Sequence, residues 1–150
     1  MTEPNPTGPA PRLNQINLVV RDMDAMAAFY SSLGVRVLDS PPGWQAHHRN
    51  SEIEAGMHLD LDSIAFTPTW NDGWPEGRAG VVIGFEVADT AEVDRVHERL
   101  IGLGYQSQQP PYDAFWGARY AIVVDPDGNA VGVMSPVDPA RATKPRDPPA

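Results

Sequence analysis

One pattern constrains this chain more than any other, because it occurs twice. Residues 16–20 (INLVV) form an apolar run of strand length, and Met26, Phe29, Tyr30 and Leu33 then recur at the spacing of one helix face. Asp22 stands where an N-cap acceptor is needed and Gly34 where a left-handed residue ends a helix; residues 35–38 resume extended chain. In the second half, residues 81–87 (VVIGFEV) read as a strand and Asp89 with Glu92 as a capping box. Val93, Val96 and Leu100 form an apolar stripe, and Leu103-Gly104 ends the helix before Tyr105. Extended segments follow each helix. After the first come PPG at 41–43, a strand near 44–48, a polar break RNSE and the strand MHLDLD (57–62). After the second come PPY at 110–112, a strand over 118–124, the turn DPDGN (125–129) and a strand over 130–134. The economical reading is an α+β domain of two βαβββ modules, at about 13–77 and 80–135.

A chain of 150 residues accommodates one such domain. Its ends, residues 1–12 and 136–150, are rich in proline and small polar residues, and are expected to be disordered tails. The formal charge of −9 is concentrated between them and argues against nucleic acid as a partner, which a basic surface would serve. The absence of cysteine excludes disulfides, thiolate metal sites and cysteine nucleophiles. No stretch reaches the roughly 18 apolar residues of a membrane span, and the N-terminus lacks a basic start followed by an apolar run; a cytoplasmic protein is expected.

In MHLDLD, alternation places His58, Asp60 and Asp62 on one side of a strand and Leu59 and Leu61 on the other. His-x-Asp is a spacing that two metal ligands can use, with His47 or His48 as a third from a neighbouring strand. Residues four apart on a strand lie about 13 Å from one another, so the trio cannot bind one ion together. The plainer reading is a half-buried strand whose polar side faces a cavity or water. His97, beside Val93 and Leu100, reads as a helix-boundary residue. Trp44, Trp70, Trp74, Tyr112, Phe115 and Trp116 gather in Pro- and Gly-rich connections, where large flat side chains either build a binding site or close a core rim or dimer interface. By parity Gln15, Asn17, Val82, Gly84, Glu86, either Arg119 or Tyr120, and Met134 share one sheet face. Ile16, Leu18, Val81, Ile83, Phe85, Val131 and Val133 share the side of the helices.

INLVVRD at the start, FYSSLG at 29–34, VVIGFEV, LGY at 103–105, WGARY at 116–120 and DPDGNAVGV at 125–133, in this order and spacing, resemble the vicinal oxygen chelate superfamily. That family includes glyoxalase I, the bleomycin and fosfomycin resistance proteins and the extradiol dioxygenases. The resemblance implies that the modules form a cup-shaped mixed sheet with helices outside, usually completed in a homodimer. Metal-using members carry ligands at four strand positions, which here fall on Gln15, on Asp60 or Asp62, on Val82 and on Gly132. Glutamine is compatible with a metal, but valine offers no donor and glycine only its backbone, so no metal of the family type and no cofactor are expected.

The function expected is metal-independent binding of a small aromatic molecule, cations included, of a sequestration or resistance type. The alternative is an enzyme of the same superfamily, either a metal-dependent lyase, isomerase or dioxygenase with an atypical site or a metal-free one in which His58, Asp60 or Glu86 serves as a base. Expected ligand-binding residues are the six aromatics above together with Gln15, His58, Asp60, Arg119 and Met134; the expected partners are that ligand and a second copy of the chain, with neither nucleic acid nor membrane.

Overall fold

The two modules are joined through their first strands. The computed structural model describes residues 8–54, 56–145 and 147–150; the part of the expected N-terminal tail at residues 1–7 lies outside them. The first module runs β1 (Arg12–Val20), α1 (Met23–Leu33), β2 (Arg36–Val37), β3 (His48–Glu52) and β4 (His58–Ser63). The second repeats it as β5 (Gly80–Glu86), α2 (Thr90–Gly102), β6 (Gln106–Asp113), β7 (Arg119–Val124) and β8 (Ala130–Met134). One eight-stranded mixed sheet results, in the order β2-β3-β4-β1-β5-β8-β7-β6. β1 and β5 pair antiparallel at its centre, while β1 with β4 and β5 with β8 are the parallel pairs. The α+β class and the repeated βαβββ order are those the sequence predicts.

Capping sets both helices. The Asp22 carboxylate accepts from the Ala25 N–H at 3.0 Å, and Gly34 ends α1 at φ 104°. Asp89 accepts from the Glu92 N–H at 2.8 Å. The buried stripe of α1 differs from the predicted one. Met23 and Ala27 are buried, with Met26 and Tyr30 packed beside them on Val20 and Leu61, whereas Phe29 and Leu33 are 62% and 69% exposed. Small Ala27 lets the helix approach the sheet, which turns Phe29 outward to lie edge-on against Tyr30. In α2 the predicted Val93, Val96 and Leu100 pack on Ala121 and Val133, and His97 sits at the boundary against the Ser107 hydroxyl.

Three other segments depart from expectation. Trp44 to His47 form turns, and the RNSE stretch read as a break is most of β3, antiparallel to β4. Its polar residues suit a strand because His48 and Asn50 face one side and Arg49 is anchored on the Leu38 carbonyl at the other. Pro110 and Pro111 do not end a segment but lie within β6, where they are tolerated because β6 is a sheet edge with register shifts either side of Gln109. Val81 does not pack under a helix. α1 lies on β2 and β4 and α2 on β6, β7 and β8, so Val81, on the central β5, stays 46% exposed.

Composition predicts a free tail from residue 136. Instead the Asp138 N–H donates to the Gly117 carbonyl at 2.9 Å, Thr143 N–H to Phe115 at 2.8 Å, and a 3-10 turn spans Pro139–Arg141. Gly117 is required there: its φ is +92°, and a Cβ would fall 2.3 Å from the Asp138 carbonyl oxygen. No helix among the described residues is long and apolar enough to cross a membrane. Gly117→Ala is expected to destabilise the fold by about 2 kcal/mol through strain and collision. Hydrogen exchange should localise the lost protection to the amides of Asp138 and Thr143.

Candidate functional site

Strand register brings the polar residues of the first module together. Parallel pairing sets Gln15 beside His58 and Asn17 beside Asp60, and the β3–β4 ladder sets His48 opposite Asp62 and Asn50 opposite Asp60. Their common parity points them to one face of the sheet, where they floor a cavity of about 380 Å³. Aromatic side chains form its walls. Trp44 meets Phe66 edge-on with ring centroids 5.0 Å apart, and Trp116 packs on Tyr120 at 5.6 Å and Phe115 at 5.2 Å. Trp70 and Met134 complete the walls, and Val137 and Pro145 of the C-terminal segment contribute to the lining.

The two carboxylates of the floor stand in different environments. Asp62, 2% exposed, accepts from the Asn17 amide at 2.8 Å and lies 2.5 Å from His48 Nδ1. Burial would lower the His48 pKa, but the hydrogen bond and charge of Asp62, with the charge of Asp60, outweigh it and raise it above the usual 6.5. Asp60 is 9% exposed, and its carboxylate accepts from the Gln15 amide at 3.1 Å. Burial first, and then the negative charge of Asp62, push its pKa from 3.8 to about 6, against the opposing pull of His48, His58 and Gln15. Burial holds the Tyr120 phenol far above its ordinary range, so it remains neutral.

The donor set does not fit a metal of the family type. Gln15 and Asp60 are hydrogen-bonded to each other, but Val82 is fully buried in the apolar core. At Gly132, a Cβ would lie 2.8 Å from the Tyr120 hydroxyl, so the aromatic ring fills the space that a fourth ligand side chain would need. The alternative triad is also dispersed. His48 is engaged with Asp62, His47 Nδ1 with the Ser63 hydroxyl at 2.9 Å, and His58 pairs across from Glu52. Among the described residues no three acidic or histidine side chains are grouped to hold an ion.

Of the residues singled out from sequence, Gln15, Trp44, His58, Asp60, Trp70, Phe115, Trp116 and Met134 line this cavity. Trp74, Tyr112 and Arg119 stand away from it. Trp74 is buried and donates its indole N–H to the Arg78 carbonyl at 2.8 Å. Tyr112 backs the wall and donates to the Trp70 carbonyl at 3.1 Å. Arg119 forks onto Asp94 at 2.8 and 2.9 Å and reaches Asp113 at 3.2 Å, leaving Tyr120 as the inward residue of β7. Sequence reasoning did not place Asn50, Phe66, Val137 or Pro145 here. Asn50 was legible by parity with His48 once RNSE is read as strand; the others reach the site through loop geometry that carries no periodic signal.

Asp60 ionises near 3.8 in an unfolded chain but near 6 in the fold, so the folded state holds its proton through that window. Its contribution to stability therefore falls as pH rises from 4 to 6 and remains lower above, by up to about 3 kcal/mol. Asp60→Asn is expected to raise Tm at pH 7.5 and leave it near wild type at pH 4, as thermal melts at the two pH values would show.

Comparison with known proteins matches the Glyoxalase/Bleomycin resistance protein/Dioxygenase superfamily model over residues 12–133. The chain is 29% identical over 124 residues to a bleomycin resistance protein of Klebsiella pneumoniae, covering 79% of this chain and 87% of that one. Among solved structures, the Mn(II)-bound glyoxalase of Novosphingobium aromaticivorans aligns with a TM-score of 0.61 at 17% identity, over 91% of this chain and 44% of that one. A superfamily member from Vibrio splendidus aligns at 0.55 and 16% identity, over 84% and 99%. These two likenesses are of fold. Repeat, strand order and family match agree, and the chain belongs to the glyoxalase/bleomycin resistance protein/dioxygenase superfamily.

Proposed function

We propose that this protein binds a small aromatic molecule without a metal, as a sequestration or resistance protein does, and acts as a homodimer. The observation that carries the reading is a cavity of about 380 Å³ walled by Trp44, Phe66, Trp70, Phe115, Trp116 and Tyr120, within the range of about 300–1,000 Å³ that small-ligand sites occupy. Flat rigid side chains bury a ring at little entropic cost, and valine and glycine at two family ligand positions leave no centre for metal chemistry. The likeness to a bleomycin resistance protein favours binding over turnover. For the dimer, the support is apolar surface left open outside the site. Val81, Phe29 and Leu33 are exposed, and Ile16, Ile83 and Phe85 are only partly covered.

One observation favours a second reading, a metal-free lyase or isomerase. A carboxyl raised to about 6 and set in an apolar cavity has the basicity of a general base near neutral pH. Mass-spectrometric search for a product from any bound compound separates turnover from binding.

Isothermal titration of chelator-treated protein with one- and two-ring aromatic compounds, bleomycin included, tests the first reading. Micromolar binding that EDTA leaves unchanged is expected, with Trp116→Ala weakening it about tenfold or more. Binding by none of them, or binding restored only by a divalent ion, contradicts it. Light scattering should give about twice the 16.3 kDa chain mass.

A further inference from the structure

We infer that the cavity selects compact aromatic amines bearing one positive charge, with the ammonium group seated on Asp60 and the ring against the tryptophan wall. This inference rests on the aromatic-ligand reading and specifies its chemistry. A count of the charges that face Asp60 supports it. From β1 come Gln15 and Asn17, both neutral; from β3 come His48 and the neutral Asn50; from β4 come Asp62 and the exposed His58. Tyr120, Met134, Trp116, Val137 and Pro145 bring no charge from the remaining sides.

Asp62 is already balanced. The His48 Nδ1 sits 2.5 Å from one of its oxygens and the Asn17 amide 2.8 Å from the other. Asp60 has no such cation. Its Oδ2 takes the Gln15 amide, and among the described residues its Oδ1 takes no hydrogen bond, although Asp60 lines the cavity. Asp60 is thus the floor carboxylate with an oxygen left for a donor, in a largely apolar chamber. An ammonium group would supply the missing donor and charge together. A neutral isostere would leave a buried carboxylate unpaired, and a second ammonium group would be desolvated among tryptophans without a counterion. The raised proton affinity of Asp60 comes first from its burial and then from the charge of Asp62. Below about pH 6, where Asp60 holds a proton in the free protein, an arriving ammonium displaces it: the Asp60 carboxyl and the ligand cation become the carboxylate–ammonium pair, and H⁺ leaves to solvent.

Titration calorimetry of tryptamine against its neutral isostere indole-3-ethanol, and of benzylamine against the dication p-xylylenediamine, tests this on metal-free protein at pH 7.5. Each monocation is expected to bind at least tenfold more tightly than its comparator, from hydrogen bonds to a charged group worth about 1.5–3 kcal/mol. In Asp60→Asn, tryptamine should lose its advantage and agree with indole-3-ethanol within about twofold. At pH 5.5, paired buffers of different ionisation enthalpy should register proton release on tryptamine binding. Equal affinity of tryptamine and indole-3-ethanol in wild type overturns the charge selection and leaves the aromatic-binding reading standing. Tighter binding of the dication overturns the count of one charge. Binding of none of the four overturns both readings.

Discussion

Pairing of β1 with β5 turns two four-stranded units into one sheet, and every feature of the cavity depends on that seam. It sets β4 on one flank of the centre and β8 on the other, so acidic residues from the first module face aromatic residues from the second across a shared floor. The seam also explains Gly84. A Cβ there would lie 2.9 Å from Gln15 Cβ, so glycine gives Gln15 room beside β5, and from that position Gln15 reaches Asp60. Val82, two register positions along and opposite Asn17, is wholly buried and closes the sheet with carbon at a position where the family resemblance implies a metal ligand.

Within that chamber, two buried carboxylates on alternate residues of β4 cannot both be ionised cheaply. His48 relieves Asp62, which leaves the electrostatic burden on Asp60. A carboxyl that makes the empty fold less stable above its pKa is a familiar property of binding sites, where strain in the free state is released by the ligand. The C-terminal segment adds a different element. Its backbone is tied to Gly117 and Phe115, which places Val137 and Pro145 against the cavity and makes its lining partly dependent on residues outside the repeat.

Features set by short-range rules were legible in the sequence. The Asp22 and Asp89 caps, Gly34 and the DPDGN turn each depend on neighbours a few residues away, and the repeat of these signals specified the module order. The face shared by Asp60 and Asp62 followed from parity. What failed were cases in which tertiary context overrides composition. The polar β3 is held by pairing with β4, prolines persist in β6 because an edge strand needs fewer donors, and residues 138–143 are ordered by backbone bonds that no side-chain pattern announces. The aromatic set was only partly sorted for the same reason. Trp70 and Trp74 lie in one loop, yet one faces the cavity and the other is spent on the Arg78 carbonyl, a difference fixed by the path of the loop rather than by residue type.

The account rests on Asp60 being a buried carboxylate without a cation of its own. An NMR pH titration of its side-chain carboxyl carbon measures this directly. A midpoint near 6 in the free protein, moving down once an aromatic amine is bound, is the predicted result. A midpoint near 4 that no ligand alters would show that Asp60 is already solvated or paired, and would contradict the account.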